Sequence, residues 1–236
     1  METWSISVII PVYNEQGTIG NTIHHLQQAQ SKQYIAEILV IDGGSTDTTV
    51  EEAVGAGATV LRSPRKGRAA QMNFGAWSAR GSVLYFLHAD SKPPHTFTVD
   101  ILQAVSDGYA AGCYRLEFDE QHWFLQANAW FTRFDLAPFR YGDQSLFVLQ
   151  DVFKTAGGFR EDHVVMEDNE IISRLRRYGK FKIIPKTIVT DARKYTLNGP
   201  YKMQAIFFLI YFMYQLGFSQ QALVKTYRRL IKQDKV

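Results

Sequence analysis

Polar, chemistry-bearing residues follow apolar runs at three places in the first half of the chain. Pro11-Val12-Tyr13-Asn14-Glu15 follows the run from Ser5, Asp42 follows Ile38-Leu39-Val40-Ile41, and His88-Ala89-Asp90 follows Val83-Leu84-Tyr85-Phe86-Leu87. In an open parallel sheet, ligands bind where strands end. An aspartate directly after a buried apolar strand, such as Asp90, is costly unless it is hydrated, paired or bound to a cation. Hard carboxylate oxygens suit magnesium or manganese bridging a diphosphate, and His88 beside Asp90 is a second candidate ligand. Taken singly, each residue has a structural alternative: Asp42 as a turn former before Gly43-Gly44, and Glu15 and Asp47 as helix caps.

Two further clusters could serve the same chemistry. Arg65, Lys66, Gly67 and Arg68 lie where a loop enters a helix, and free backbone amides at a helix start attract phosphate. The same basic residues read equally well as solvated surface charge. Met166-Glu167-Asp168-Asn169-Glu170 opens an amphipathic helix. Acids in a first helical turn complement the helix dipole. A carboxylate there could instead take the proton from an attacking hydroxyl.

These residues need a scaffold. Strand patterns at Ser5–Pro11, Ile35–Ile41, Ala58–Leu61 and Ser82–Leu87 alternate with helical patterns from Thr18 (capped by Thr18 or Gly17), Thr46–Val54 and Arg68–Ala79. That order predicts a parallel sheet covered on both faces. The second half is less regular. Gly112–Phe118, Ser145–Leu149 and Phe181–Ile184 read as strands, Asp168–Tyr178 as a helix, and Gly157-Gly158 as a turn. The aromatic-rich stretch Gln121–Phe134 and the apolar stretch Met203–Phe218 read first as core. The latter, followed by Lys225, Arg228, Arg229, Lys232 and Lys235, also suits a helix lying on a membrane surface. Sixteen residues are short for a span.

Composition is that of a globular protein: 236 residues, 46% hydrophobic and 21% charged, with net charge +3. So mild an excess of basic residues argues against nucleic acid as a partner. The lone Cys113 cannot form an internal disulfide and reads as a small buried hydrophobe. With a first strand in place of a signal peptide, a cytoplasmic protein is expected, with the inner membrane face as a site of peripheral contact through residues 203–235.

Ser7-Val8-Ile9-Ile10-Pro11-Val12-Tyr13-Asn14-Glu15, Ile38 through Asp47, Phe86 through Asp90, Gly142-Asp143-Gln144 and Met166-Glu167-Asp168 together resemble family 2 glycosyltransferases over residues 5–195. The resemblance implies a GT-A fold: a nucleotide-binding, Rossmann-like, mostly parallel sheet flanked by helices, with C-terminal helices. It implies one domain, with residues 1–110 for the nucleotide-sugar, 111–200 for the acceptor and catalysis, and 201–236 as C-terminal helices. It implies an inverting, hexosyltransferase-like enzyme using a nucleotide diphosphate-sugar, an unidentified acceptor and a divalent cation. Pro11, Tyr13, Asn14, Glu15, Asp42, Gly67, Arg68 and Asp90 would hold the donor, with Glu15 and Asp42 at base and ribose. Asp90 matches the last aspartate of a metal-binding triplet, whose first place His88 takes in departure from the family. Asp168 matches the catalytic base with Glu167 beside it. Gly142, Asp143 and Gln144 match the acceptor and sugar loop, and Arg193 and Lys194 a flexible loop closing over the diphosphate. Leu-His-Ala-Asp, Gly-Asp-Gln and Met-Glu-Asp together are similar to a small bacterial subgroup associated with arsenosugar biosynthesis.

Rival readings make separate demands. A nucleotidyltransferase wants a glycine-rich, basic loop after its first strand, and Tyr13-Asn14-Glu15-Gln16 is neither. A dinucleotide oxidoreductase wants Gly-x-Gly-x-x-Gly there. A non-catalytic nucleotide-sugar-binding protein on the membrane would have no need of Asp42, Asp90 and Asp168 together.

Overall fold

The computed structural model describes residues 4–140 and 142–232. Met1, Glu2 and Thr3 of the N-terminal segment, and Lys235 of the basic tail, lie outside the described residues.

The first strand, β1 (Ile6–Val12), is buried along nearly its whole length. Its alternating side chains feed two cores. Val8, Ile10 and Val12 enter one with α1 (Ile19–Gln27) and α2 (Thr49–Gly55). Ile9 enters the other with Ala69, Met72 and Ala76 of α3 (Arg68–Ser78). This is why the strand reads as one continuous apolar run. Beside β1 lie β2 (Ile35–Asp42) and β4 (Val83–Phe86), both parallel to it, and β3 (Thr59–Arg62) runs parallel to β2.

The chain then departs from simple alternation. β5 (Ser91–Lys92), α4 (Phe97–Ser106) and β6 (Tyr109–Phe118) follow β4. After α5 (Trp123–Phe131), β7 (Leu146–Leu149) inserts antiparallel between β4 and β6, and leads into α6 (Gln150–Thr155). α7 (Glu167–Leu175) precedes β8 (Lys180–Thr190), which runs parallel to β6 and antiparallel to β5. The described strands form one sheet in the order β3-β2-β1-β4-β7-β6-β8-β5. Short α8 (Arg193–Asn198), then α9 (Pro200–Gln215) and α10 (Gln220–Leu230), complete the α/β GT-A fold.

Several expectations are corrected. α2 begins at Thr49, not Thr46, because the preceding loop is tied to other groups: Asn14 Oδ1 accepts from Thr46 N, and Asp47 Oδ1 from Thr49 N. α1 has no side-chain cap from Thr18; the Glu15 carbonyl instead accepts from Thr18 N and Ile19 N. β8 runs well beyond Phe181–Ile184. The Gln121–Phe134 aromatics are not core, since α5 buries only Leu125 and Ala129 while Trp123 is 66% exposed. α9 buries Met203, Gln204, Ile206 and Ile210 but leaves Leu209 and Phe212 exposed. Among the described residues, no helix is long and apolar enough to cross a membrane.

Candidate active site

The carboxyl ends of β1 and β2 are joined through polar contacts. Asp42 is 5% exposed, and its Oδ1 accepts from Ser45 N at 2.9 Å, so the turn-forming role is realised. Asn14 adopts the left-handed region (φ 53°) and donates from its backbone to Ser45 Oγ. Glu15 N donates to Thr49 Oγ1 at 2.7 Å. Pro11 lies in β1, and Tyr13 is exposed beyond it. Gln71 of α3, which the sequence did not single out, reaches beneath this edge. Its amide donates to the carbonyls of Val12 (2.8 Å) and Ile41 (2.7 Å). A lone amide between Ala70 and Met72 in an apolar helical stripe was the available signal.

A second group gathers past the end of β4. His88 Nδ1 lies 2.9 Å from Asp143 Oδ1. Burial acts against charge on both and is the largest single effect, but their hydrogen bond and the attraction of opposite charges together outweigh it. The Asp143 carboxyl is held down at about 2, with Lys194 and Arg68 adding to the effect, and the His88 ring is held above its ordinary value. Arg68 Nη1 stands 3.5 Å from His88 Nε2. The expected ligand beside Asp90 therefore faces a carboxylate on one side and a guanidinium on the other.

Arg68 also donates from Nε to Glu167 Oε1 at 2.5 Å, and its Nη2 lies 3.6 Å from Asp168 Oδ2. Glu167 is 1% exposed; burial raises its carboxyl above the ordinary range, and Arg68 opposes the shift. Helix α7 starts at Glu167 after Met166, which holds φ 68° without a side-chain cap. Gly142 closes the group: a Cβ there would overlap the Asp168 carboxylate and stand 3.0 Å from His88 Cε1.

Asp90 belongs to this neighbourhood. Burial raises its carboxyl, the negative charges of Asp143 and Glu15 raise it further, and His88 opposes them. Gln144 is buried and tied by Arg140 Nη1 (3.1 Å) and by its own bond to the Tyr114 carbonyl. Gly67 stands exposed at the start of α3 with φ 110°. Arg65 pairs with Glu161 at 2.7 Å and Lys66 is exposed, as solvated charge would be. Arg193 and Lys194 open helix α8 where a flexible loop was expected; Arg193 N donates to Asp191 Oδ1, a local bond that fixes the turn. Cys113 is buried, which pushes its thiol up to about 11 and leaves it inert.

A mostly parallel sheet covered on both faces, with carboxylates from distant segments gathered past its strand ends, defines an α/β protein of GT-A architecture. The chain belongs to glycosyl transferase family 2, whose family model, described as "Glycosyl transferase family 2", matches residues 7–164. A glucosyl-3-phosphoglycerate synthase of Mycolicibacterium paratuberculosis is 33% identical over 105 residues, 40% of this chain and 31% of that protein. The match thus spans about a third of the length of such curated relatives. Among solved structures, a mannosyltransferase of Pyrobaculum calidifontis, in complex with GDP-Man and Mn2+, superposes with TM-score 0.71 at 16% identity, over 88% of this chain and 62% of that one. The Mycobacterium tuberculosis glucosyl-3-phosphoglycerate synthase, with Mn2+, UDP and phosphoglyceric acid, gives 0.59 at 16% identity, over 91% and 79%. Likeness at that identity speaks for the fold.

Proposed function

We propose that this chain is an inverting glycosyltransferase that moves a hexose-type sugar from a nucleotide diphosphate donor to an acceptor hydroxyl. One observation carries the reading. Asp168 stands against Gly142 and within reach of Arg68, and His88 borders the same point, although these residues are scattered along the chain.

In this reading Asp168 accepts the proton of the acceptor hydroxyl as that oxygen attacks the anomeric carbon. The attack comes from the face opposite the diphosphate, so one C–O bond forms as the other breaks and the configuration inverts. Glu167 fixes the Arg68 guanidinium, which with Gly67 and the α3 amides faces the diphosphate. Pro11, Tyr13, Asn14, Glu15 and Asp42 take the base and ribose. Asp143, oriented by His88, lines the acceptor and sugar side with Gly142 and Gln144. Lys194 acts at longer range through its charge, with Arg193 beside it. Residues 1–110 serve the donor, 111–200 the acceptor, and 201–236 support them.

The donor set suits magnesium or manganese. Among the described residues no three His, Cys, Asp or Glu side chains cluster closely enough to cage a metal ion. Magnesium-type sites take one or two carboxylates and draw other ligands from water and phosphates. Asp90, a hard carboxylate that feels the negative charges of Asp143 and Glu15, fits that role. A bound cation there would neutralise the charge that develops on the departing diphosphate. The solved relatives with Mn2+ and nucleotide ligands support it. The lone buried Cys113 agrees with a reducing, cytoplasmic setting. Leu87-His88-Ala89-Asp90, Gly142-Asp143-Gln144 and Met166-Glu167-Asp168 support placement in the arsenosugar-associated subgroup.

Asp168→Asn tests the assignment. Turnover should fall about 10²–10⁴-fold, the usual worth of a general base, while the donor still raises the melting temperature as in the wild type. Transfer near the wild-type rate would remove Asp168 from the chemistry.

A further inference from the structure

Helices α5 and α9 lie side by side and present aromatic rings to solvent. At one end Tyr201 packs on Phe124 with centroids 4.5 Å apart, and on Trp123 at 6.2 Å. At the other end a chain of rings runs from Phe208 through Phe139 (6.1 Å) and Phe131 (5.2 Å, stacked) to Trp130 (5.3 Å) and Phe134 (5.0 Å). On α9, Ala205, Phe208, Leu209 and Phe212 form a stripe at helical spacing that Leu216, 76% exposed, extends just past the helix end. Phe208, through Phe139, links this stripe to the α5 rings. A large apolar face left open on a folded chain marks a surface for a partner.

The charge of the C-terminal helices is one-sided. From residue 199 to 232 the chain contains Lys202, Lys225, Arg228, Arg229 and Lys232 and no Asp or Glu. On α5, Arg133 lies over the Trp130 ring at 4.4 Å, while the bordering acids are Glu120 and Asp135, the latter paired with Arg176. Trp rings and cationic side chains bordering aliphatic surface suit the water–lipid boundary, where rings sit at headgroup depth and basic groups meet anionic lipid. A second copy of the chain would oppose one basic border to another. The face is also preformed. Buried Arg140 donates to the carbonyls of Thr132 and Phe134 and to Gln144 Oε1, which clamps the end of α5 to the Gly142–Gln144 turn.

We propose that α5 and α9 form a platform that docks on an anionic lipid bilayer, with the exposed basic residues of α10 adding long-range attraction to the anionic surface. This deepens the peripheral membrane contact expected for residues 203–235. It places half of the contact on α5, and it stands apart from the transfer chemistry at Asp168.

Vesicle flotation of the whole chain tests the proposal. Vesicles of phosphatidylcholine alone are compared with an equal mixture of phosphatidylcholine and phosphatidylglycerol, at low and high salt. The chain should float with the anionic vesicles, shift its tryptophan emission to shorter wavelength, and detach in high salt. Phe212→Ser with Leu216→Ser, and separately Lys225→Glu with Arg229→Glu, should each weaken binding about tenfold or more while keeping the wild-type melting temperature. Asp168→Asn should bind vesicles as the wild type does, so the docking and base assignments fail separately. Absence of flotation at low salt, flotation unchanged by Phe212→Ser with Leu216→Ser, or a stable dimer that hides Trp130 and Phe212 from vesicles would each overturn the platform.

Discussion

Gly142 has no side chain where two others converge. The space its Cβ would need is taken by the Asp168 carboxylate, with His88 just beyond. Gly142→Ala should therefore push Asp168 off its line while leaving the polar edge of β1 and β2, the proposed donor side, alone. Since misplacement by about 1 Å can cost roughly a hundredfold in rate, kcat should fall by about that factor with donor KM little changed, as steady-state assays will read. Arg68 carries a different burden. Arg68→Met leaves the Glu167 carboxyl buried without its partner. The loss at pH 7 should be about 2 kcal/mol, below the full cost of orphaning a buried charge because the Arg68 side chain is 42% exposed. Burial already holds the folded Glu167 carboxyl above its unfolded value. A raised carboxyl favours the fold at low pH and stops doing so as pH rises through the folded value. The deficit of the variant is thus largest near neutral pH and shrinks below the ordinary carboxylate range, which urea melts across pH will measure.

At the scale of elements, α3 positions Arg68 only because it lies close on the sheet. A Cβ at Gly75 would come within 2.5 Å of Ile9 Cγ2 and 3.0 Å of Ile41 Cγ1. Gly75→Ala should destabilise the fold by about 1–3 kcal/mol in chemical denaturation, since an extra methyl in a filled interface forces the helix outward. The first four strands and three helices were legible because buried parallel strands are apolar throughout and the helices between them carry a stripe. α5 was misread for an equally physical reason. Trp123, Phe124, Leu125, Trp130 and Phe131 leave no clear polar face, so sequence shows that the stretch is apolar without showing which side meets protein. The antiparallel insertion of β7 was also hidden, because pairing partners distant in the chain leave no mark in local periodicity.

For the whole molecule, the donor and a cation should act together on stability. A nucleotide diphosphate-sugar at about 100 times its dissociation constant adds roughly 2.7 kcal/mol to the folded state. For a chain of this size that is about 5–10 °C in melting temperature. Thermal-shift measurements with manganese should show this rise, and a chelator should remove most of it. An equal rise without any divalent cation would count against Asp90 as its holder.

The sequence alone determined the strand–helix alternation of the first half, the family, and the chemical types at the candidate site. Those follow from local apolar runs and from acids placed just beyond them, which a chain displays in order. Tertiary structure alone decided that Gly142 abuts Asp168, that His88 serves Asp143, that Gln71 ties β1 to β2, and that the aromatic helices face outward. Such contacts join residues tens of positions apart, and only packing in three dimensions chooses among the partners that local pattern leaves equivalent.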